Sequence, residues 1–255
     1  MKCSGFWVII PARYGSSRLP GKPLSEIHGL PMVVQVAMRA QKVKGASEVV
    51  VATDDDRILD VVKDFGFKGL MTSSRHRSGT DRIAEAVDIL GLSDKDVIVN
   101  IQGDQPLFPI HAVEMMVQRL ESDKGLAMTT VACPMDEHSA QNPNRVKVVI
   151  DESGRALYFS RAVIPFDRDG VLRDEATPFF HHIGLYCYRV DFLRSYVRWP
   201  QGRLEAIECL EQLRVLERGF KIGVCIVDKA TPEVDTDKDL EYVRALMDKD
   251  HQEVA

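Results

Sequence analysis

The chain has no apolar run approaching the roughly 20 residues that a membrane-spanning helix requires, so no membrane insertion is expected. Its N-terminus also lacks a signal-peptide pattern: a strand-like run follows Lys2 almost at once, without a small-residue cleavage site. Cysteine is sparse. Cys3, Cys133, Cys187, Cys209 and Cys225 are scattered and odd in number, and no pair has metal-ligand spacing. That argues against a disulfide framework and fits reduced thiols in a cytoplasmic protein. There is no excess of positive charge. The net charge of -5 argues against nonspecific nucleic-acid binding. No G-x-G-x-x-G follows the first strand-like segment, which makes a nicotinamide-dependent dehydrogenase a poor reading. No internal repeat or low-complexity segment stands out.

What is present is a chain of 255 residues with 45% hydrophobic and 28% charged content, ordinary for a globular protein and enough for one large domain, or one with a subdomain. Its most informative stretch is 11–24, PARYGSSRLPGKPL, directly after the apolar run 6–10. A short buried strand empties into a loop with glycines at 15 and 21 and the cations Arg13, Arg18 and Lys22. Glycine lets backbone N–H groups turn toward an anion, and the cations supply full charge to match a polyphosphate. The loop is not a P-loop: five residues separate Gly15 from Gly21, and Pro23 stands where a magnesium-binding hydroxyl belongs. A basic surface turn has the same composition, so the loop alone does not decide.

Strand and helix then alternate. A helix is expected over 31–44, starting at Pro31, with strands at 48–53, 67–71, 97–101 and 128–131 and helices at 57–65, 80–90 and 110–120. The expected fold is α/β, a Rossmann-like, mostly parallel sheet with helices on both faces. After about residue 133 the rhythm changes. Segments 145–150 and 156–160 flank Asp151-Glu152-Ser153-Gly154 and read as an antiparallel hairpin. Another strand is expected at 181–189, helices at 191–197 and 203–218 with Gly219 at the C-cap, a strand at 221–227 and a last helix at 237–247. Residues 1–255 thus read as a single domain, with 133–190 an inserted antiparallel, strand-rich region.

In open α/β sheets, ligands bind outside the carboxyl ends of the strands. The Arg13/Lys22 loop leaves one such end, and Ile101-Gln102-Gly103-Asp104-Gln105-Pro106 leaves another. Glycine there admits a close backbone approach and leaves the Asp104 carboxylate at the crevice, although the same residues also make ordinary turns. A magnesium ion would need a second acid. Asp54, Asp55, Asp56 and Asp235 are the candidates; the first three also suit a helix cap, and Asp235 precedes a helix and could cap it too.

The ordered motifs VIIPARYGSSRLPGKPL, ATDDDRI, SGTDRIAE, VNIQGDQP, ALYFSRAVIPFDR, HHIGLYCYR, LEQLRVLERG and VDTDKDLE span nearly the whole chain. In that order they resemble the 3-deoxy-manno-octulosonate (Kdo) cytidylyltransferases, which activate Kdo for the lipopolysaccharide of Gram-negative bacteria. The resemblance implies transfer of a cytidylyl group from CTP to the anomeric hydroxyl of an acidic eight-carbon keto sugar, with release of pyrophosphate. It implies that Arg13 and Lys22 hold the triphosphate and that Ser78, Gly79 and Arg82 help bind the nucleotide. Asp104 and Asp235 are then the magnesium ligands, and Gln102, Arg161, His182, Tyr186, Glu211 and Gln212 bind the sugar. Arg13, Lys22, Asp104 and Asp235 form the implied catalytic set. It further implies a homodimer formed largely through 133–190.

Two features depart from the family pattern. Gln105 stands where the family often has Glu, removing a charge near the metal, and 169–180 is weakly anchored by the motifs and suits a flap over the sugar. Some relatives accept the 8-amino analogue of Kdo, and the resemblance leaves that choice open. Transfer to another acidic sugar such as a sialic acid, or nucleotide binding without catalysis in a regulatory module, are the competing functions. The joint presence of Arg13, Lys22, Asp104 and Asp235 argues against the second.

Overall fold

The computed structural model describes residues 5–15, 18–170 and 179–253. The expected flap at 169–180 falls mostly on 171–178, outside the described residues. The chain divides into two compact units, one of Met1–Ile110 with Thr231–Ala255 and one of His111–Ala230.

The first unit is built on β1 (Phe6–Ala12), with a two-residue hairpin of β2 (Glu26–Ile27) and β3 (Leu30–Pro31) ahead of α1 (Met32–Gln41). Then follow β4 (Ala46–Thr53), α2 (Asp56–Asp64), β5 (Lys68–Met71), α3 (Gly79–Ile89) and β6 (Val97–Asn100). The strands lie in the order β6-β1-β4-β5, all parallel. Val8, Ile9, Ile10, Val50, Val51, Ile98 and Val99 are fully buried, as expected of parallel strands covered on both faces. From β1 the chain builds outward through β4 to β5, then crosses back to place β6 on the other side of β1. The strand order therefore reverses between β1 and β6, where an open α/β sheet leaves a crevice at its carboxyl end.

Local chemistry sets several boundaries. Pro31 is not the first residue of α1. It pairs with Glu26 in the hairpin at φ -58°, ψ 141°, and the helix begins at Met32, whose N–H donates to the Ser25 carbonyl. Of the three consecutive aspartates, Asp55 caps α2 by accepting from the Arg57 N–H, Asp56 sits in the first turn, and Asp54 is used elsewhere.

The second unit contains α4 (Ile110–Ser122), whose first residue belongs to the first unit, then β7 (Leu126–Met135), α5 (Glu137–Ala140), β8 (Lys147–Ile150) and β9 (Ala156–Ser160). It continues with β10 (Phe179–Arg189), α6 (Val190–Tyr196), α7 (Arg203–Glu208), α8 (Leu213–Glu217) and β11 (Lys221–Ile226). Here pairing is mixed: β10 runs antiparallel to β7 and β8, β8 antiparallel to β9, and β11 parallel to β7. The expected hairpin is β8–β9. The chain then returns to the first unit through the C-terminal helix, Asp237–Glu253. No described helix is long and apolar enough to cross a membrane.

The continuous helix expected over 203–218 is broken. Cys209 adopts a left-handed backbone (φ 53°, ψ 48°), and α8 starts only at Leu213. Burial explains the break. Leu210 and Leu213 are both turned into the core, and the Arg214 guanidinium reaches back across the gap to the buried Glu205 carboxylate through two bonds of 2.7 and 2.5 Å. Glu205 also accepts from the Gly202 N–H and so closes the start of α7.

Removing Arg214 leaves a buried carboxylate without its cation. Arg214→Ala is expected to lower unfolding free energy by about 3 kcal/mol, with Arg214→Lys recovering only part because the bidentate fork is lost. Urea titration followed by circular dichroism measures this, and a loss below about 1 kcal/mol would remove the pair from the account of the break.

Candidate active site

Two segments crowd Pro11 at the carboxyl end of β1. A Cβ on Gly103, just beyond β6, would stand 3.1 Å from the Pro11 carbonyl oxygen, and one on Gly79, the first residue of α3, would stand 3.2 Å from Pro11 Cγ. A side chain at 103 would press on the Pro11 backbone, which would have to give by a few tenths of an ångström, so glycine eases the approach of Asp104 to this rim. The Asp104 carbonyl then accepts from the Val234 N–H at 3.0 Å, which brings the following residue, Asp235, alongside.

The resulting cluster has Lys22 at its centre. Gly21, in a left-handed conformation (φ 68°), starts the turn that carries Lys22. Lys22 Nζ donates to Asp104 Oδ2 at 2.6 Å and to Asp235 Oδ1 at 3.1 Å; Arg18 also reaches Asp235 Oδ1, at 3.1 Å. Burial opposes the charge on Lys22, but its attraction to and hydrogen bonds with Asp104 and Asp235 outweigh that opposition, so its pKa is raised. Asp235 is not the cap of the last helix. Thr236 Oγ1 accepts from the Asp239 N–H, and Asp239 accepts from the Asp235 and Thr236 N–H groups, which leaves the Asp235 side chain for the cations.

Other nucleotide-site candidates are placed by α3. Ser78 is its N-cap and accepts from the Asp81 N–H. Arg82 is buried, its guanidinium donating to Thr72 Oγ1 at 2.6 Å and Asp54 Oδ2 at 2.7 Å, so it ties α3 to the ends of β4 and β5. Arg13, the first residue past β1, is exposed. Gln102 donates to Asn100 Oδ1 at 3.3 Å.

Sequence reasoning missed Glu233. It accepts from Gln105 Nε2 at 2.5 Å. Although the residue is exposed, the protein packed around its carboxyl and the negative charges of Asp104 and Asp235 push its pKa up to about 7. Gln105 is thus the neutral partner of a third acid at the cluster. The only sequence signal was a carboxylate two positions before Asp235.

The second unit holds the remaining candidates. His182 Nε2 lies 2.8 Å from Thr130 Oγ1, and that hydroxyl is itself spent as a donor to the Leu185 carbonyl at 2.6 Å. Thr130 can then only accept from His182, which fixes the imidazole with its proton on Nε2 and makes Nδ1 the acceptor. Full burial pushes its pKa down to about 3, so the ring is neutral. Phe159 meets it edge-on, and Tyr186 lies at a centroid distance of 5.5 Å. The Tyr186 hydroxyl donates to Gln212 Oε1 at 3.3 Å, and the buried Gln212 Nε2 has no hydrogen-bond partner among the described residues.

Gln212 and Glu211 lie in the break between α7 and α8, not within a helix; the Glu211 carbonyl accepts from the Tyr196 hydroxyl. Arg161 is committed to backbone. Its guanidinium donates to the carbonyls of Glu208, Pro143 and Cys209. Lys147 and Glu208 were also missed: the fully buried Lys147 donates to the Arg161 carbonyl at 2.6 Å, and Glu208 accepts from the Arg161 N–H and the Ser160 hydroxyl. Within β8, Lys147 reads as an ordinary strand-face residue, so nothing in the sequence marked it.

A family model described as Cytidylyltransferase matches residues 7–222. The chain belongs to the cytidylyltransferase family. It is 51% identical to a 3-deoxy-manno-octulosonate cytidylyltransferase of Aliivibrio fischeri (strain MJ11), over 96% of this chain and 99% of the relative. It is 49% identical to the protein of the same name from Aliivibrio salmonicida (strain LFI1238), over 95% of this chain and 98% of that one. Among solved structures it is similar to a CMP:2-keto-3-deoxy-manno-octonic acid synthetase complexed with CTP, with a TM-score of 0.90, 42% identity, and coverage of 97% of this chain and 100% of the other.

A histidine held neutral by folding makes stability depend on pH. The unfolded chain binds a proton at His182 near pH 6.5 and the folded chain only near 3, so the contribution is intact above about 6.5 and is lost as pH falls toward 3. His181, pushed down to about 4 by burial and by Arg145 and Lys147, acts in the same direction. Between pH 6 and 4.5 the wild type is expected to lose up to about 1.4 kcal/mol per pH unit for each such histidine, and His182→Gln is expected to flatten that slope. Urea titrations across this range test it, and equal slopes in the two proteins would refute the assignment.

Proposed function

We propose that this chain transfers the cytidylyl group of CTP to the anomeric hydroxyl of Kdo, giving CMP-Kdo and pyrophosphate for lipopolysaccharide synthesis. The reading includes a magnesium-dependent homodimer in the cytoplasm. The observation that carries it is the convergence of Lys22, Asp104 and Asp235, brought together from loops far apart in the sequence. Full-length similarity to relatives named for this reaction supports the choice of substrates.

The donor set suits magnesium. Two carboxylates already converge on one cationic nitrogen, and hard oxygen ligands are what the ion prefers. Charge counting points the same way. Lys22 and Arg18 balance Asp104 and Asp235, so this cluster brings no net positive charge to an incoming triphosphate. When bound at Asp104 and Asp235, magnesium supplies screening of the α-phosphate and polarisation of the attacking hydroxyl.

The protein's own part is orientation and charge. The sugar's anomeric oxygen forms a bond to the α-phosphorus as the bond to the β-phosphate oxygen breaks. The hydroxyl proton is released and pyrophosphate departs. Lys22 and Arg13 stabilise charge on the α-phosphate and on the leaving group. In the sugar pocket of this reading, neutral His182 presents Nδ1 as an acceptor for a sugar hydroxyl and Gln212 Nε2 supplies a donor. In this reading the strand-rich region 133–190, within the second unit, serves sugar binding and dimer contact, and the exposed Leu157 and Phe166 support the second role.

Pyrophosphate release from CTP and Kdo is expected to require magnesium and to stop with EDTA. Asp104→Asn is expected to retain the fold by circular dichroism while losing roughly 10²–10³ in turnover. A wild-type rate in that variant would refute the metal assignment. Faster turnover with 8-amino-Kdo or a sialic acid than with Kdo would move the substrate assignment.

A further inference from the structure

The turn that carries Lys22 is braced by contacts among residues of the VIIPARYGSSRLPGKPL and ATDDDRI motifs that belong neither to the assigned ligand sets nor to the charge cluster. Gly21 is left-handed, and its N–H donates to the Tyr14 carbonyl at 3.3 Å, so residues 14 and 21 are drawn together. The Tyr14 ring lies directly against Gly21: a Cβ there would stand 3.2 Å from both Cζ and Oη of the tyrosine. On the tyrosine, in turn, sits Arg57, its guanidinium carbon 3.4 Å from the ring centroid. A planar guanidinium so close to the centroid is a cation–π contact.

Arg57 is fixed in turn. Its Nε and one terminal nitrogen donate to the two carboxylate oxygens of Asp55 at 2.8 and 2.7 Å, and its N–H caps the helix on the same residue. These bonds hold Asp55 ionised, with its carboxyl below the ordinary range. A relay of contacts therefore runs from the N-cap of α2 through Arg57 and Tyr14 to Gly21 and hence to Lys22. Arg57 lies at the exposed start of α2, and the hydrophobic core does not call for its contact with Tyr14.

We propose that Tyr14, clamped by the Asp55–Arg57 pair, is a positioning residue that fixes the Gly21 turn so that Lys22 meets the nucleotide triphosphate. This rests on the function proposed above. The ring supplies a flat, stiff wall against which the glycine turn packs, and the guanidinium limits the motion of the ring. Loosening the clamp weakens nucleotide binding and leaves the sugar untouched, because none of these residues is among those assigned to the sugar.

Steady-state kinetics with CTP and Kdo and calorimetric CTP binding test this on wild type, Tyr14→Ala, Tyr14→Phe and Arg57→Ala. Tyr14→Ala is expected to raise both KM and Kd for CTP about tenfold, with KM for Kdo within about twofold. Arg57→Ala is expected to raise the CTP constants about threefold, and Tyr14→Phe, which keeps the ring face, to return them to within about twofold of wild type. Unchanged CTP constants in both Tyr14→Ala and Arg57→Ala would overturn the proposal. So would equal rises for CTP and Kdo, or a fall in melting temperature without this split, which are the marks of a purely structural role. If Tyr14→Ala does not fold, the exposed Arg57→Ala decides alone. Absence of pyrophosphate release in the wild type would instead overturn the function itself, and calorimetric CTP binding would still judge the clamp.

Discussion

The first unit is organised around one ammonium group. Lys22 stands between two carboxylates that would otherwise repel each other, and three segments must be in place for it to do so: the turn after β1, the loop after β6 and the stretch ahead of the last helix. Each segment arrives by a local device: the left-handed backbone at Gly21, the bare Cα at Gly103, and the hydrogen bond from Val234 to Asp104. Because the pairs are only partly screened by water, a partner left alone there is costly. The same geometry that satisfies the lysine aims two hard oxygen donors at one point.

In the second unit the notable polar groups, His182 and Gln212, are neutral rather than charged. His182 is kept uncharged by burial and held in one tautomer by a threonine whose own proton is spent. Gln212 sits where the helix breaks, so its amide is presented from backbone that the Glu205–Arg214 pair holds open. Such groups discriminate by direction of hydrogen bonding rather than by charge, which suits a polyhydroxylated ligand.

Much of this was legible in the sequence, for physical reasons. Parallel strands buried on both faces write themselves as β-branched apolar runs, and the alternating rhythm through residue 131 followed from that. The strand-end rule placed Lys22 and Asp104 at one rim. What the sequence hid were features decided at long range. Thr236 and Asp239 cap the last helix, which freed Asp235, but from the sequence either could have done so. Helical periodicity ran unbroken through 203–218, because the break depends on burying Leu210 and on an arginine reaching back to Glu205. Arg82 reads as a ligand by its motif, yet its guanidinium is buried against Asp54 and Thr72. Lys147 and Glu233 were invisible because a strand lysine and a loop glutamate acquire meaning only from their neighbours.

The order of the chain adds a temporal constraint. Lys22 and Asp235 are 213 positions apart, and the whole second unit is threaded between them. On the ribosome, therefore, the first four parallel strands can assemble while the cluster still lacks Glu233 and Asp235. The growing polypeptide carries Lys22 and Asp104 through the synthesis of the entire insertion before their last companion emerges. Sequence separation of this kind slows folding, because loop closure must be met before the contact repays it. Assembly of the Lys22 cluster is thus deferred until the stretch ahead of the last helix has been synthesised.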